Sequence, residues 1–146
     1  MRSVIQRVSR ASVRVNGKVV AQIGPGLLVL VGVGHGDQRA QAEWLASKVF
    51  HLRIFEDGEG KMNRSLAEVA GEVLVVPQFT LYGDARKGRR PSWAAAAVPE
   101  EAAARVEDFA SALEALCGSV KRGSFREHME VALVNDGPVT ILLESP

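Results

Sequence analysis

The chain has 146 residues, of which 47% are hydrophobic and 24% are charged, and its formal net charge is +1. This length and composition predict one globular domain, residues 1–146, with a single hydrophobic core. A net charge near zero excludes a general electrostatic attraction to nucleic acid, so any RNA binding must use a local basic patch.

Cysteine content and hydropathy favour a cytoplasmic protein that does not enter a membrane. The only cysteine, Cys117, cannot form an internal disulfide, which fits a reducing compartment. The longest apolar run, Leu27 to Val31, is far too short to cross a bilayer. The first residues show no apolar core of a signal peptide, so we expect a cytoplasmic location.

The N-terminal part of the chain is predicted to form three strands. Ser3 to Val15 is rich in Val and Ile and mostly alternates with polar residues. Asn16-Gly17 is a strong hairpin signal, and Lys18 to Ile23 is the returning strand. A third strand, from Leu27 to Val33, is bounded by glycines and is expected to be buried.

Two helices follow from capping signals and apolar spacing. Asp37 is placed to cap a helix from about Gln38 to Leu52, whose apolar residues, including Trp44, should face the sheet. The second helix begins at Pro99, a favourable first helical residue, and ends before Gly118.

The remaining apolar runs are predicted to be strands. Leu52 to Phe55 is short, and Val73 to Thr80 is a strand that carries polar residues at its end. Near the C-terminus, the runs Val131 to Val134 and Val139 to Leu143 flank Asn135-Asp136-Gly137-Pro138, which has the composition of a tight turn. This turn is either an ordinary hairpin connection or a rigid functional element, and Gly137–Pro138 is a peptide bond that can be cis at modest cost.

The order of these elements predicts the fold class. It is α/β (α+β-like), with mixed, mostly antiparallel sheets in a single domain and two main helices on one face. No Ser-His-Asp order, Cys-His pair or metal-ligand cluster stands out, so we expect no cofactor and no metal.

The candidate catalytic residues are Thr80 and Gln78, at the end of the Val73 to Thr80 run. A threonine hydroxyl is a weak nucleophile unless a base activates it, and no base is evident nearby in the sequence. Backbone N–H groups from Gln78 to Leu81, or the Gln78 amide, could instead stabilise a developing oxyanion. The alternative is an ordinary strand threonine.

A basic loop follows this segment and contains Lys87, Arg89 and Arg90. These side chains could contact the phosphates of an RNA, which fixes position without reading sequence. The alternative is a solvated loop without a partner.

Four motifs, in this order and spacing, resemble those of the D-aminoacyl-tRNA deacylases. They are Gln-Phe-Thr-Leu at 78–81, Arg-Lys-Gly at 86–88, Arg-Pro-Ser at 90–92 and Asn-Asp-Gly-Pro-Val-Thr at 135–140. The resemblance runs nearly end to end and implies a layered β/β/α fold. It also implies hydrolysis of the ester bond of D-aminoacyl-tRNA, which releases the D-amino acid and tRNA.

The resemblance assigns further roles. A cis Gly137–Pro138 bond would enter the active site of the partner subunit in a homodimer and reject L-aminoacyl groups, while glycyl-tRNA, including glycine mischarged on tRNA(Ala), would be admitted. Phe79 and Leu81 would line the substrate site. Arg7, Asn135 and Thr140 would support the Gly-Pro motif.

The sequence departs from the family pattern in two places. Pro77 stands where relatives usually have Ser, which removes a hydroxyl and an N–H next to the site. Arg126-Glu127-His128 stands where relatives usually have small residues and an acid, which could change the rim of the pocket. Two other functions stay open: a small-molecule amino-acid esterase or amidase, and an RNA-binding module without catalysis.

Overall fold

The computed structural model describes residues 1–146, which form one six-stranded sheet, one small two-stranded sheet and three α-helices. In chain order the elements are β1 (Arg2–Val15), β2 (Lys18–Ile23), β3 (Gly26–Gly32), α1 (Arg39–His51), β4 (Phe55–Glu56), β5 (Met62–Arg64), α2 (Leu66–Val69), β6 (Glu72–Pro77), α3 (Pro99–Cys117), β7 (Lys121–Arg122) and β8 (Glu130–Glu144). A 3-10 turn, Phe79–Tyr82, follows β6.

The large sheet is mixed, as predicted. Its strands follow the order β2-β1-β3-β6-β7, and β8 pairs with β1 along the other edge of that strand. The pairs that involve β1 are antiparallel, whereas β3–β6 and β6–β7 are parallel. Each parallel connection includes a long helix, as parallel strands require.

Both long helices cover one face of this sheet, which confirms the prediction. Along β3, Leu27, Val29 and Val31 face the helices because side chains alternate between the two faces of a strand. They pack in one cluster with Leu45 of α1 and Phe109 of α3, both fully buried. This cluster is the main hydrophobic core.

A second layer of strand residues covers the opposite face. Leu28 of β3 and Leu74 of β6 pack there against Val8 and Val13 of β1 and Ile23 of β2. The far half of β1, together with β2 and the start of β8, therefore lies over the central strands. The predicted β/β/α layering follows from this second core.

The two C-terminal apolar runs do not form a hairpin, so the first of the two alternatives for the segment between them, an ordinary hairpin connection, is wrong. Both runs pair antiparallel to β1, within the one strand β8. Val8 pairs with Asn135 and Gln6 pairs with Thr140. Only Arg7 separates the two residues on β1, whereas residues 136–139 separate their partners on β8. The extra residues form a bulge, which we call the Gly-Pro bulge (residues 135–140). The Asn135 amide closes it, with 3.0 Å bonds to the carbonyl oxygens of Arg7 and Val139.

The predicted strand from Val73 to Thr80 ends early. Pro77 is its last residue. Gln78 N still donates a bond of 2.8 Å to Val31 O of β3, and the 3-10 turn begins at the next residue. The strand predicted at Leu52 to Phe55 lies instead at Phe55–Glu56.

Helix α1 differs from its prediction in two respects. Its N-cap is Gln38, whose N–H donates to the Gln41 side chain at 2.9 Å, and not Asp37. Trp44 is also partly exposed, whereas Leu45 and Val49 are fully buried. No helix has the length and apolarity needed to cross a membrane.

Candidate active site

The 3-10 turn after β6 carries the predicted catalytic residues. Leu81 N donates to Gln78 O at 3.3 Å and Gly83 N donates to Thr80 O at 2.9 Å, which fixes the backbone of the turn. The Gln78 side-chain amide donates a hydrogen bond to the Thr80 hydroxyl. As the first residues of the turn, Phe79 and Thr80 have no acceptor within the turn for their own N–H groups.

An apolar cavity of about 450 Å³ lies beside this turn. Its lining includes Gln78 and Phe79, the end of β3, the start of α3 and the segment between β7 and β8. The apolar lining residues include Val31, Val33, Val76, Ala97, Ala102, Val106, Phe125, Met129 and Val131. The cavity has the size and lining of a small-molecule site.

Phe79 stands at the edge of this cavity and is 56% exposed. Its ring meets the ring of Trp93 edge-on, with 5.4 Å between the centroids. Trp93 also packs against Gly83, where an added Cβ would lie 2.5 Å from the indole ring. An aromatic pair therefore joins the cavity to the loop that follows the turn.

A polar network lies on the other side of the turn, beneath Tyr82. The Tyr82 hydroxyl donates to Asp37 Oδ2 at 3.3 Å, and Asp37 also accepts a 2.7 Å bond from Gly34 N. The Arg2 guanidinium stacks over the Tyr82 ring at 4.5 Å and donates to Leu81 O at 3.4 Å. Burial, followed by the Asp37 carboxylate, raises the pKa of Tyr82 to about 12.

Sequence reasoning missed this network. Asp37 was interpreted as a helix cap because an acid just before an apolar helical pattern usually has that role. Tyr82 and Arg2 carry no local signal, since the three residues meet only through the pairing of distant segments. The only sequence cue is that Tyr82 directly follows the Gln-Phe-Thr-Leu motif.

The Gly-Pro bulge is anchored by Arg7, which is 5% exposed. Arg7 donates to Ile54 O at 2.6 Å and to Asp136 O at 3.2 Å, and its Nε lies 3.3 Å from the Asp136 carboxylate. The Gly137–Pro138 peptide bond is cis. Gly137 has φ +120°, and a Cβ there would lie 2.8 Å from Arg7 Nη2, so a side chain is excluded.

The bulge and the cavity do not meet within one chain. No residue from 135 to 140 lines the cavity, and Asp136, Gly137 and Pro138 are exposed. Thr140 lies at the end of the bulge, where its hydroxyl accepts a 3.4 Å bond from the Gln6 amide. The sequence-predicted site therefore falls into two separate parts of the chain.

The predicted basic loop lies between Gly83 and Ser92. Asp84 and Ser92 close it through paired backbone bonds of 2.8 and 2.9 Å. Arg86 binds Asp84 with two bonds, of 2.9 and 2.7 Å, and its guanidinium lowers the pKa of Asp84 to about 2. The side chains of Lys87, Arg89 and Arg90 are exposed and make no ion pair.

No group of three or more His, Cys, Asp or Glu side chains is arranged to hold a metal ion. The Thr80 hydroxyl has one hydrogen-bond partner, the Gln78 amide, and no basic side chain bonds to it. The site therefore offers hydrogen-bond donors and an apolar cavity, but no strong base next to the hydroxyl.

Comparisons with known proteins match the whole chain. The profile of the family described as D-Tyr-tRNA(Tyr) deacylase matches residues 4–144. D-aminoacyl-tRNA deacylases from Thermomicrobium roseum and Desulfitobacterium hafniense are 64% and 57% identical over 145 residues, which is 99% of this chain and 94% and 97% of theirs. Among solved structures, one named c-Myc DNA Unwinding Element Binding Protein is 40% identical, with a TM-score of 0.94 over 100% of this chain and 99% of that chain.

The network beneath the turn predicts the titration of Tyr82, which is the only tyrosine in the chain. Its pKa is about 12 in the folded protein, against about 10 for an unfolded chain. The neutral phenol therefore stabilises the fold below pH 10, and this contribution is lost as the pH rises from 10 towards 12. Tyrosinate absorbance in the near ultraviolet measures the midpoint directly.

Asp37→Asn should lower this midpoint, because it removes a carboxylate that disfavours tyrosinate. The midpoint should stay above that of the denatured chain, because burial is the larger cause. Glu144→Gln is the matched control and should move the midpoint less. A folded-state midpoint equal to that in denaturant would contradict the burial of the hydroxyl.

Proposed function

We propose how this chain selects and hydrolyses its substrate, from the premise that it belongs to the D-Tyr-tRNA(Tyr) deacylase family. A member of this family is a hydrolase that acts on the ester bond of D-aminoacyl-tRNA. Water cleaves this bond, and the products are the free D-amino acid and tRNA. The observation that supports this site best is the position of the Gln78–Tyr82 turn, at the edge of a nucleoside-sized apolar cavity.

The cavity beside Phe79 is proposed to hold the terminal adenosine of the tRNA. Its volume of about 450 Å³ and its apolar lining suit an aromatic base. The exposed ring of Phe79 offers a surface for stacking, which contributes about 1–3 kcal/mol per base in single-stranded recognition. This placement brings the ester on the terminal ribose next to Gln78, Thr80 and Leu81.

The turn is proposed to act mainly by positioning and by stabilising charge. The N–H groups of Phe79 and Thr80, or the Gln78 amide, would donate to the oxyanion that forms on the ester carbonyl. Thr80 would orient the substrate and would not attack it, because no base contacts its hydroxyl. The neighbouring 2′-hydroxyl of the ribose would then direct the attacking water.

Chiral selection is proposed to come from the Gly-Pro bulge of a second copy of the chain. Two rigid carbonyl oxygens, of Gly137 and Pro138, would accept hydrogen bonds from the α-amino group and leave no space for an L side chain. Rejection by fixed backbone can exceed a preference built from apolar contacts. Glycine has no side chain, so glycyl-tRNA, including glycine mischarged on tRNA(Ala), would also be hydrolysed.

Two observations favour a homodimer with shared sites. The bulge is exposed and does not reach the cavity of its own chain. The outer edge of β8, which carries the bulge, pairs with no strand, and Leu142 on this strand is 75% exposed. Long unpaired edges with exposed apolar side chains are uncommon in monomers, because they promote association.

The tRNA body is proposed to contact Lys87, Arg89 and Arg90. Their loop is held next to the cavity by the Phe79–Trp93 pair, and their charges have no partners within the chain. The substrate implies a cytoplasmic location. A non-catalytic nucleic-acid-binding module is the second candidate, since the 40% identical solved structure is named for binding DNA.

The direct test is the release of amino acid from matched D- and L-aminoacyl-tRNA. We expect rapid release from the D form and from glycyl-tRNA, and little from the L form. Free D-aminoacyl adenosine separates the alternatives: equal kcat/KM on this small ester would indicate an esterase that ignores the tRNA body. Tight RNA binding without any release would instead support the binding module.

Thr80→Ala should reduce single-turnover deacylation by less than about tenfold, whereas loss of a covalent nucleophile reduces rates by on the order of a millionfold. Thr80→Ser is the matched control, because it keeps the hydroxyl. A tRNA with a 2′-deoxy terminal adenosine should show the larger loss. Complete inactivity of a folded Thr80→Ala variant that still binds tRNA would contradict the positioning role.

Mixing two inactive variants tests whether the sites are shared. Gly137→Ala should distort the bulge, because its Cβ would lie 2.8 Å from Arg7 Nη2, and Gln78→Ala removes an amide from the turn. A mixed dimer contains one site with both parts intact, so activity should partly return after the two proteins are denatured and refolded together. Sedimentation as a monomer, or a mixture that stays inactive despite dimerisation, would place the whole site within one chain.

Lys87→Ala combined with Arg89→Ala should weaken tRNA binding and make its salt dependence shallower, because fewer phosphates are neutralised. The ratio of D- to L-aminoacyl hydrolysis should not change, since phosphate contacts carry no information about the amino acid. Lys18→Ala with Arg14→Ala, in the β1–β2 hairpin, controls for the loss of net charge. A changed chiral ratio would place the loop in the amino-acid pocket.

A further inference from the structure

The rim of the cavity contains an arginine in an unfavourable backbone conformation. Arg126 is the third residue of a turn that Glu127 N closes with a 3.4 Å bond to Ser124 O. Its φ is +64°, in the left-handed region that glycine and asparagine adopt most easily at this position of a turn. Residues in such conformations cluster at functional sites. The backbone here does not favour arginine, so a role of the Arg126 side chain is the better reason for its presence.

The Arg126 side chain meets Glu100 at the mouth of the cavity. Arg126 Nη1 lies 3.8 Å from Glu100 Oε1, and the two side chains are 66% and 79% exposed. Glu100 belongs to the first turn of α3, next to Pro99, which lines the cavity together with Arg126. The other charged or titratable side chains on the lining are Glu127 and His128.

This ion pair can open easily. Exposed pairs of this length contribute little to stability. If the Arg126 side chain moves away from Glu100, the Glu100 carboxylate still lies in the first turn of α3, where the helix dipole favours a negative charge. Arg126 is therefore a cation that is available to an anionic ligand at the cavity mouth.

The ligand that fits both the cavity and this cation is a nucleotide. A nucleoside at the 3′ end of an RNA carries its phosphate on the 5′ oxygen, and this phosphate stays outside a pocket that holds the base and ribose. The planar guanidinium of arginine matches phosphate oxygens with two parallel donors. Arg126 belongs to a different segment from the loop with Lys87, Arg89 and Arg90, so it would add a separate contact.

From this geometry we infer that Arg126 binds the phosphate on the 5′ side of the terminal adenosine, and that Glu100 competes with this phosphate for the guanidinium. The inference rests on the proposed function, because it assumes an RNA substrate with its last nucleoside in the cavity. It adds a specificity determinant that a minimal aminoacyl nucleoside cannot use.

The two partners of the pair should have opposite effects. Arg126→Asn removes the cation and suits the left-handed backbone, and it should raise KM for D-aminoacyl-tRNA roughly tenfold. Glu100→Gln frees Arg126 and should lower KM by about two- to threefold. Arg126→Lys should restore part of the affinity. The turnover number should change little in all three variants.

A structural role for the pair predicts a different pattern. Both substitutions would then shift KM in the same direction and lower the urea midpoint of unfolding, whereas we expect Arg126→Asn to unfold at an equal or higher urea concentration. Arg39→Ala is the matched control, because Arg39 is also exposed, pairs with Glu43 at 2.8 Å and lies outside the cavity lining.

A phosphate-free substrate isolates the contact. Arg126→Asn should leave kcat/KM on D-aminoacyl adenosine unchanged, and on tRNA its salt slope should be shallower by about 0.7, the value for one single-strand phosphate. An effect that persists on the phosphate-free ester, or an unchanged slope, would overturn the inference.

Binding of an uncharged RNA hairpin with a single-stranded 3′ end separates this inference from the proposed function. If the unaltered chain binds the hairpin and Arg126→Asn weakens binding, the phosphate contact holds even if the chain releases no amino acid. If the unaltered chain hydrolyses D-aminoacyl-tRNA and Arg126→Asn changes neither KM nor binding, the function stands and the inference fails.

Discussion

The buried guanidinium of Arg7 is the constraint on which the shape of the Gly-Pro bulge depends. A charge that is 5% exposed must be surrounded by acceptors, because an unpaired buried ion is very unfavourable. Arg7 finds them in Ile54 O, Asp136 O and the Asp136 carboxylate, which bring the segment before β4 and the middle of β8 against β1. The glycine at 137 follows from the same contact, since a Cβ there would collide with the guanidinium. These contacts fix the position of the bulge against β1.

A second consequence concerns the division of the site. The bulge interrupts the pairing of β8 with β1, and none of its residues lines the cavity beside the turn after β6. The exposed bulge and the cavity with the Gln78–Tyr82 turn at its edge are thus two separate parts of the chain. In the proposed function, the bulge of one copy and the cavity of another together form a complete site. Dimerisation would then be required for the reaction.

The sequence predicts the local elements well because their signals are local. Asn16-Gly17 lies at a hairpin between β1 and β2, and Pro99 and Gly118 mark the ends of α3. The Gly-Pro segment was different, since the same residues punctuate a hairpin and a bulge, and only the partner strand distinguishes the two. Here both flanking runs pair with β1, and no feature of residues 131–143 alone encodes this pairing.

The sequence predicted the site residues that lie within one motif. It did not predict the residues that reach the site from distant segments of the chain. Gln78, Phe79 and Thr80 lie together on one turn, but their support comes from Asp37, Arg2 and Trp93, whose positions depend on the sheet and on the loop between the turn and α3. The neighbours of Asp37 in sequence predict a helix cap, whereas the tertiary structure pairs it with Tyr82 and with the N-terminal amine of Met1, 2.6 Å away. Polar networks of this kind have no periodicity that a sequence could reveal.

The support of the turn also bears on its chemistry. Below the turn, Tyr82 is buried and held by Asp37 and Arg2; above it, the Thr80 hydroxyl contacts only an amide. A site that is rigid but lacks a strong base can accelerate a reaction by orientation and by fixed dipoles, which together can contribute many powers of ten. It cannot generate a powerful nucleophile of its own. An ester of a sugar with a neighbouring free hydroxyl suits such a site, because the substrate then brings the group that the protein lacks.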